Sequence, residues 1–172
     1  MHDLNAVQLL LEKDEIRELI GIRYARGLDW HDLDLLKSCF HADAALDYGY
    51  FKGPAHAWCE KRVVEGNPAE LHRFHYCFPA QIAVDGEMAE AESNSLSGYR
   101  TSSGDSEKTI FFGARYFDRI DRRDRVWRIA HRTVQVDFTF EAPSPKQAPG
   151  LQSALPFLAG LDPSHPLYRR LC

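Results

Sequence analysis

The stretch VWRIAHRTVQVDFTF, residues 126–140, alternates apolar and polar side chains over most of its length. A period of two is the signature of a strand with one covered face. Alternation sets Ala130, Arg132, Val134, Val136, Phe138 and Phe140 on one side and His131, Thr133, Gln135, Asp137 and Thr139 on the other. Working back toward the N-terminus, three more strand-like runs occupy about 71–84, 88–101 and 108–120. Turn signals part them: Asp85-Gly86, Ser102-Ser103-Gly104 and the segment from Asp121 to Asp124. Runs of strands joined this closely read as an antiparallel meander.

The first half has a different period. Val7, Leu10, Leu11, Ile16, Leu19, Ile20, Tyr24 and Leu28 recur at threes and fours, one face of a helix that ends near Asp29. Leu33, Leu36 and Phe40 suggest a second helix with Asp32 as its N-cap. A short strand or hairpin over 44–51 precedes the turn Lys52-Gly53-Pro54, and a third helix is expected from Ala55 to about Glu65. Helices followed by hairpin-linked strands predict an α+β fold, a cone-shaped curved antiparallel sheet wrapped over the N-terminal helices, as in a cystatin-like α+β barrel. One domain is expected over 1–141. Residues 142–172, with prolines at 143, 145, 149, 156, 163 and 166, form a Pro-rich extension with at most a short helix around 151–158.

Composition narrows the function. The chain has 172 residues, 44% of them hydrophobic, with 21 Lys and Arg against 25 Asp and Glu, a net charge of -4. That balance argues against nucleic acid as a partner, and the arginines of 119–128 are interleaved with Asp118, Asp121 and Asp124. No stretch reaches the roughly 18 apolar residues of a membrane span, so no membrane partner is expected. Cys39, Cys59, Cys77 and Cys172 lack the paired spacings of zinc sites or redox motifs, which fits a reducing, cytoplasmic setting and no metal. A curved sheet with an apolar outer face needs cover, so a homo-oligomer, dimer or trimer, is expected.

Polar residues that break the pattern mark the candidate site. Arg132 interrupts an apolar face, and a buried guanidinium must be answered by a carboxylate, a carbonyl or a ligand. A structural ion pair and a cavity cation are both open to it. In the run 71–84, Phe74, Tyr76, Phe78, Ala80, Ile82 and Val84 share one face, and Arg73, His75, Cys77 and Gln81 the other. The polar row, with a histidine at its centre, is the candidate cavity lining. His72 and His75 fall on opposite faces of a strand, which weighs against a metal. Asp29 sits at a helix C-terminus, where the helix dipole disfavours a carboxylate. Either it is a solvated residue opening the turn Asp29-Trp30-His31-Asp32, or it orients an imidazole. Trp30, Tyr48, Tyr50, Trp58, Tyr76 and Tyr99 fall near helix-sheet junctions and suit a cavity for a flat, hydrophobic substrate.

Four segments carry a resemblance: Ile22-Arg23-Tyr24-Ala25-Arg26-Gly27-Leu28-Asp29, Tyr50-Phe51-Lys52-Gly53-Pro54, Arg73-Phe74-His75-Tyr76, and Val126-Trp127-Arg128-Ile129 running into Arg132. In this order, over about 7–140, the chain resembles the SnoaL-like enzymes of the nuclear transport factor two-like superfamily. Relatives there include scytalone dehydratase, hexachlorocyclohexane dehydrochlorinase and bile-acid 7α-dehydratase. The resemblance implies a catalytic dyad of His75 and Asp29, with Tyr24 where the dehydratases can offer a tyrosine hydroxyl. It puts Arg132 where the dehydrochlorinase has an arginine that assists the leaving group. The acidic strand residue of the bile-acid enzyme is replaced here by Gly98-Tyr99-Arg100, which argues against steroid substrates.

What the resemblance implies is elimination without a cofactor. His75 is the expected base, Asp29 its orienting partner, and Tyr24 or Arg132 the support for a departing oxygen or an enolate. Trp30, Tyr48, Tyr50, Trp58 and Tyr99 are the expected substrate contacts. Loss of water is the first reading. A carbon-carbon cleavage releasing formaldehyde from a lignin-derived diaryl diol would use the same proton traffic. A ketosteroid-type isomerase, which normally relies on an aspartate base, and a non-catalytic binding module are the remaining alternatives, and a binding module has no need for Asp29 and His75 to be in mutual reach.

Overall fold

A computed structural model of the chain describes residues 2–103, 106–143 and 161–169. The short helix expected around 151–158 lies outside the described residues. The long N-terminal helical run comprises α1 (His2–Arg17), a π-helical turn (Glu18–Arg23) and α2 (Tyr24–Asp29). It ends at Asp29, as the threes-and-fours pattern requires. Asp32 caps α3 (Leu33–Ser38), its side chain accepting from the Leu35 amide. The third helix is α4 (Ala55–Glu60) with a π-helical turn, Lys61–Glu65, completing it.

Seven strands form one sheet among the described residues: β1 (Phe40–Asp47), β2 (Lys52–Pro54), β3 (Glu70–Cys77), β4 (Gln81–Asp85), β5 (Met88–Ser103), β6 (Ser106–Arg123) and β7 (Val126–Pro143). Their order is β2-β1-β7-β6-β5-β3, with β4 also paired to β5. The expected antiparallel sheet is therefore corrected in one place: β1 runs parallel to β7, which makes the sheet mixed though mostly antiparallel. A parallel neighbour cannot be read from turn signals, because the two strands are joined through the whole rest of the sheet.

The single strand expected over 71–84 is two. Pro79 has no amide hydrogen to donate, and the chain leaves the ladder at Phe78-Pro79-Ala80 before β4 resumes it. Strand β7 holds two register shifts, one where Ala130 is inserted opposite Arg119 and Ile120, the other where Asp137 is inserted opposite Gly113 and Ala114. Each bulge bends the strand and changes which parity faces inward. Trp127 and Ile129 are buried before the first bulge, and Arg132 after it. Beyond the second bulge Phe138 and Phe140 pass to the convex side, where Phe138 covers Gly113 and Phe140 stacks on Phe111 at 4.5 Å between centroids. These two residues are therefore not on the face of Arg132 that simple alternation gives them. The convex side exposes Tyr76, Phe78, Phe138 and Phe140 about halfway or more.

The core lies between helices and concave sheet, around Ile16, Leu19, Ile20, Leu36, Phe40 and Trp58. Gly27 sets how closely α2 meets α3: a methyl group built there would stand 2.8 Å from the Leu36 Cα and 2.9 Å from its amide nitrogen. Because that neighbour is backbone, it has no rotamer to yield. Gly27→Ala is expected to lower stability by about 1–3 kcal/mol despite alanine's better helix propensity, which a urea denaturation midpoint measures. An unchanged or raised midpoint contradicts the close packing.

Candidate active site

A cavity of about 360 Å³ opens on the concave side of the sheet, at the lower end of the ~300–1,000 Å³ common for small-molecule sites. Tyr24 and Leu28 reach it from α2, Tyr48 and Tyr50 from the segment after β1, and Trp58 and Arg62 from the third helix. The sheet supplies Arg73 and His75 from β3, Ser97, Gly98 and Tyr99 from β5, Phe112, Ala114 and Tyr116 from β6, and Val134 and Val136 from β7. The polar row of β3 thus faces inward, and the aromatic row Phe74 and Tyr76 outward. On the convex face Phe74 meets Phe111 at 5.7 Å and Tyr76 at 5.4 Å.

Asp29 stands behind His75 and binds it twice. Its Oδ1 lies 2.6 Å from the His75 Nδ1, and its Oδ2 accepts from the His75 backbone amide at 2.9 Å. A carboxylate opposed by the dipole of its own helix is thereby answered by two donors from a different element. With Nδ1–H donated to Asp29, the lone pair of the neutral ring sits on Nε2. Both side chains are largely withdrawn from solvent, at 13% exposure for His75 and 19% for Asp29.

Beside His75, whose ring centroid is 6.4 Å from that of Tyr24, Tyr24 and Tyr48 share a hydrogen bond of 2.9 Å between hydroxyls, and Trp58 donates from Nε1 to the Tyr50 hydroxyl at 3.1 Å. Burial raises the Tyr24 and Tyr48 hydroxyls above the ordinary tyrosine range, so both remain phenols. Of their two protons one serves the mutual bond and the other is free for a ligand oxygen.

Arg132 is fully buried and meets Asp118 in two parallel hydrogen bonds of 2.6 and 2.8 Å. Its guanidinium lies 4.1 Å from the Tyr24 ring centroid and 4.5 Å from that of Tyr116, and those rings, not Arg132, line the cavity. Of the two readings the sequence leaves open, the geometry is that of the ion pair, and Arg132 acts on the cavity only through the tyrosines. Trp30 is also absent from the lining. It packs against His165 and Tyr168 of the C-terminal extension at 5.7 and 5.4 Å, with Arg26 over its ring. Tyr48, Tyr50, Trp58 and Tyr99 line the cavity. Arg73 belongs to the polar row that the sequence offers as cavity lining, whereas Arg62 is a charged lining residue that sequence reasoning passes over.

Among the described residues no group of three or more His, Cys, Asp or Glu is arranged to hold a metal ion, and no helix is long and apolar enough to cross a membrane.

The SnoaL-like domain family matches residues 8–133, and the chain belongs to that family, within the nuclear transport factor two-like superfamily. Among solved structures it is similar to a hexachlorocyclohexane dehydrochlorinase of type 2, at 17% identity and a TM-score of 0.72 over 85% of this chain and 99% of that one. A second dehydrochlorinase structure, LinA, gives 19% identity and a TM-score of 0.72, covering 87% of this chain and 100% of the other. A protein of Novosphingobium aromaticivorans assigned as a candidate scytalone dehydratase gives 19% and 0.63, covering 85% and 97%. At such identities the likeness establishes the fold. No curated protein sequence matches the chain significantly.

Two predictions rest on this geometry. Replacing only one member of the buried pair strands the other, so Arg132→Met is expected to cost about 3–5 kcal/mol, while the double variant Arg132→Met/Asp118→Leu recovers most of it; equal losses in both, read by denaturant unfolding, contradict the ion-pair reading. Burial also lowers His31 and His72 below the usual 6.5. The unfolded chain then binds more protons than the folded one in that range, so stability is full above about 6.5 and is lost as pH falls toward the folded values. Thermal midpoints of His31→Gln/His72→Gln should decline less steeply between neutral and mildly acid pH than those of the unaltered chain.

Proposed function

We propose that the chain is a cofactor-independent lyase that eliminates water or another small leaving group from a hydrophobic cyclic or aromatic substrate. The observation that carries this is the 2.6 Å contact between Asp29 and His75 at the wall of an aromatic-lined cavity. A histidine held by a carboxylate on one nitrogen, with the other presented to a cavity, is equipped to take a proton from carbon beside a carbonyl or aromatic system. Asp29 fixes the tautomer and stabilises the imidazolium that forms. The free hydroxyl proton of the Tyr24–Tyr48 pair supports the departing oxygen or the enolate.

The alternatives fare less well on the same geometry. A binding module has no use for a paired histidine and carboxylate directed at a cavity. A ketosteroid-type isomerase needs a carboxylate as base, and the described residues lining the cavity include none. The dehydrochlorinases and the candidate dehydratase that share the fold support elimination as the reaction class.

Screening hydroxylated cyclic and aromatic compounds for new conjugated absorbance identifies a substrate. With it, His75→Ala is expected to lower kcat by about 10²- to 10⁴-fold while the chain still unfolds in a cooperative transition, and Asp29→Asn by a smaller factor. Retention of most activity in His75→Ala sinks the mechanism.

A further inference from the structure

Among the described residues, the charged side chains in the cavity wall are Arg62 and Arg73. They are not free surface cations. Arg73 is 4% exposed and Glu70 6%, and Glu70 Oε1 accepts from Arg73 Nε at 2.7 Å and Nη2 at 2.6 Å. The second oxygen of Glu70 lies 3.6 Å from Arg62 Nη2. One carboxylate therefore serves two guanidiniums, and the other carboxylate whose charge reaches Arg73, Asp29, is already engaged by His75. Arg73 Nη1 is buried and has no hydrogen-bond partner. A charged donor left unsatisfied away from water costs about 1–3 kcal/mol or more; Arg132 Nη1 is likewise unpartnered but lies behind Tyr24 and Tyr116, whereas the Arg73 side chain lines the cavity, where a ligand can supply an acceptor.

We propose that Arg73, backed by Arg62, forms a subsite for a carboxylate on the substrate, so that the substrate class is an aromatic or cyclic acid rather than a neutral hydrocarbon or alcohol. The subsite names the substrate of the lyase reading above and rests on it for that role. A carboxylate brings two oxygens and a negative charge to a pair of guanidiniums that share the single carboxylate of Glu70. Arg73 and His75 alternate along one face of β3, about 6.6 Å apart by strand geometry, so an acid anchored at Arg73 sets its ring across His75. The rest of the lining, from Leu28, Tyr99, Phe112, Val134 and Val136, suits the apolar body. A permanent anion fits better than a charge that develops only in the transition state, because the donor is unpaired already in the resting protein.

Two probes of nearly the same shape, one anionic and one neutral, test this: 2-naphthoate and 2-naphthamide, titrated calorimetrically into the full chain and into His75→Ala. The expected result is naphthoate binding about tenfold or more tightly than naphthamide in both proteins. Arg73→Gln should lose about that factor for naphthoate while its affinity for naphthamide stays unchanged. Because that substitution leaves Glu70 unpaired, the double variant Glu70→Gln/Arg73→Gln is measured beside it, with the same outcome expected. Equal affinity for the two probes overturns the proposal, as does a preference that survives both substitutions, or failure of either probe to bind. Substrate turnover by His75→Ala with the preference intact would remove the proposed base and leave the subsite standing.

Discussion

The double attachment of Asp29 to His75 joins the two halves of the molecule. One carboxylate at the end of the first helical run accepts from the backbone and the ring of a residue on β3, 46 positions later in the chain. The backbone bond fixes where the strand lies against the helix, and the ring bond fixes which way the imidazole turns. Neither group would settle alone: the helix dipole opposes Asp29, and an imidazole at a cavity wall would otherwise rotate. Gly27, two residues earlier, lets α3 close against the same helix end, so the placement of Asp29 is determined on two sides.

Around this clasp the cavity divides by chemistry. Tyrosine hydroxyls and the Trp58 indole form one polar edge. Aliphatic and aromatic side chains from β5, β6 and β7 form the floor, and the arginines on β3 and the third helix form a cationic end. Arg132 and Asp118 lie beneath the floor and hold Tyr24 and Tyr116 from behind through the faces of their rings. A buried ion pair is a costly way to support a wall, yet it fixes ring orientation where an aliphatic side chain would leave the tyrosines free to shift. The π-helical turns fall just before Tyr24 and at Arg62, both of which line the cavity.

Much of this was legible in the sequence because it follows from periodicity. Threes and fours gave the helix ending at Asp29, an Asp before Leu33 gave the cap of α3, and alternation marked Arg132 as inward and buried. Bulges were not legible. The insertions at Ala130 and Asp137 leave the residues alternating in type while the backbone changes face, so Phe138 and Phe140 were placed on the wrong side. Pro79 breaks the ladder inside an alternation of residue types that continues across it. Trp30 sat beside Asp29 in sequence yet turns toward Tyr168, because its partner lies in a proline-rich extension whose path no local pattern encodes. The pairing of Arg73 with Glu70 spans only three residues, but its significance depends on Arg62 arriving from another element.

The account stands on the protonation of one ring: His75 must carry its hydrogen on Nδ1, toward Asp29, and leave Nε2 bare toward the cavity. Nitrogen-15 NMR of the histidine-labelled protein above the imidazole titration range reads this directly. The account predicts a protonated Nδ1 and an unprotonated Nε2 for His75, with the Nδ1 proton shifted downfield and lost or displaced in Asp29→Asn. A neutral ring protonated on Nε2 instead would leave no lone pair facing the cavity and contradict His75 as the base.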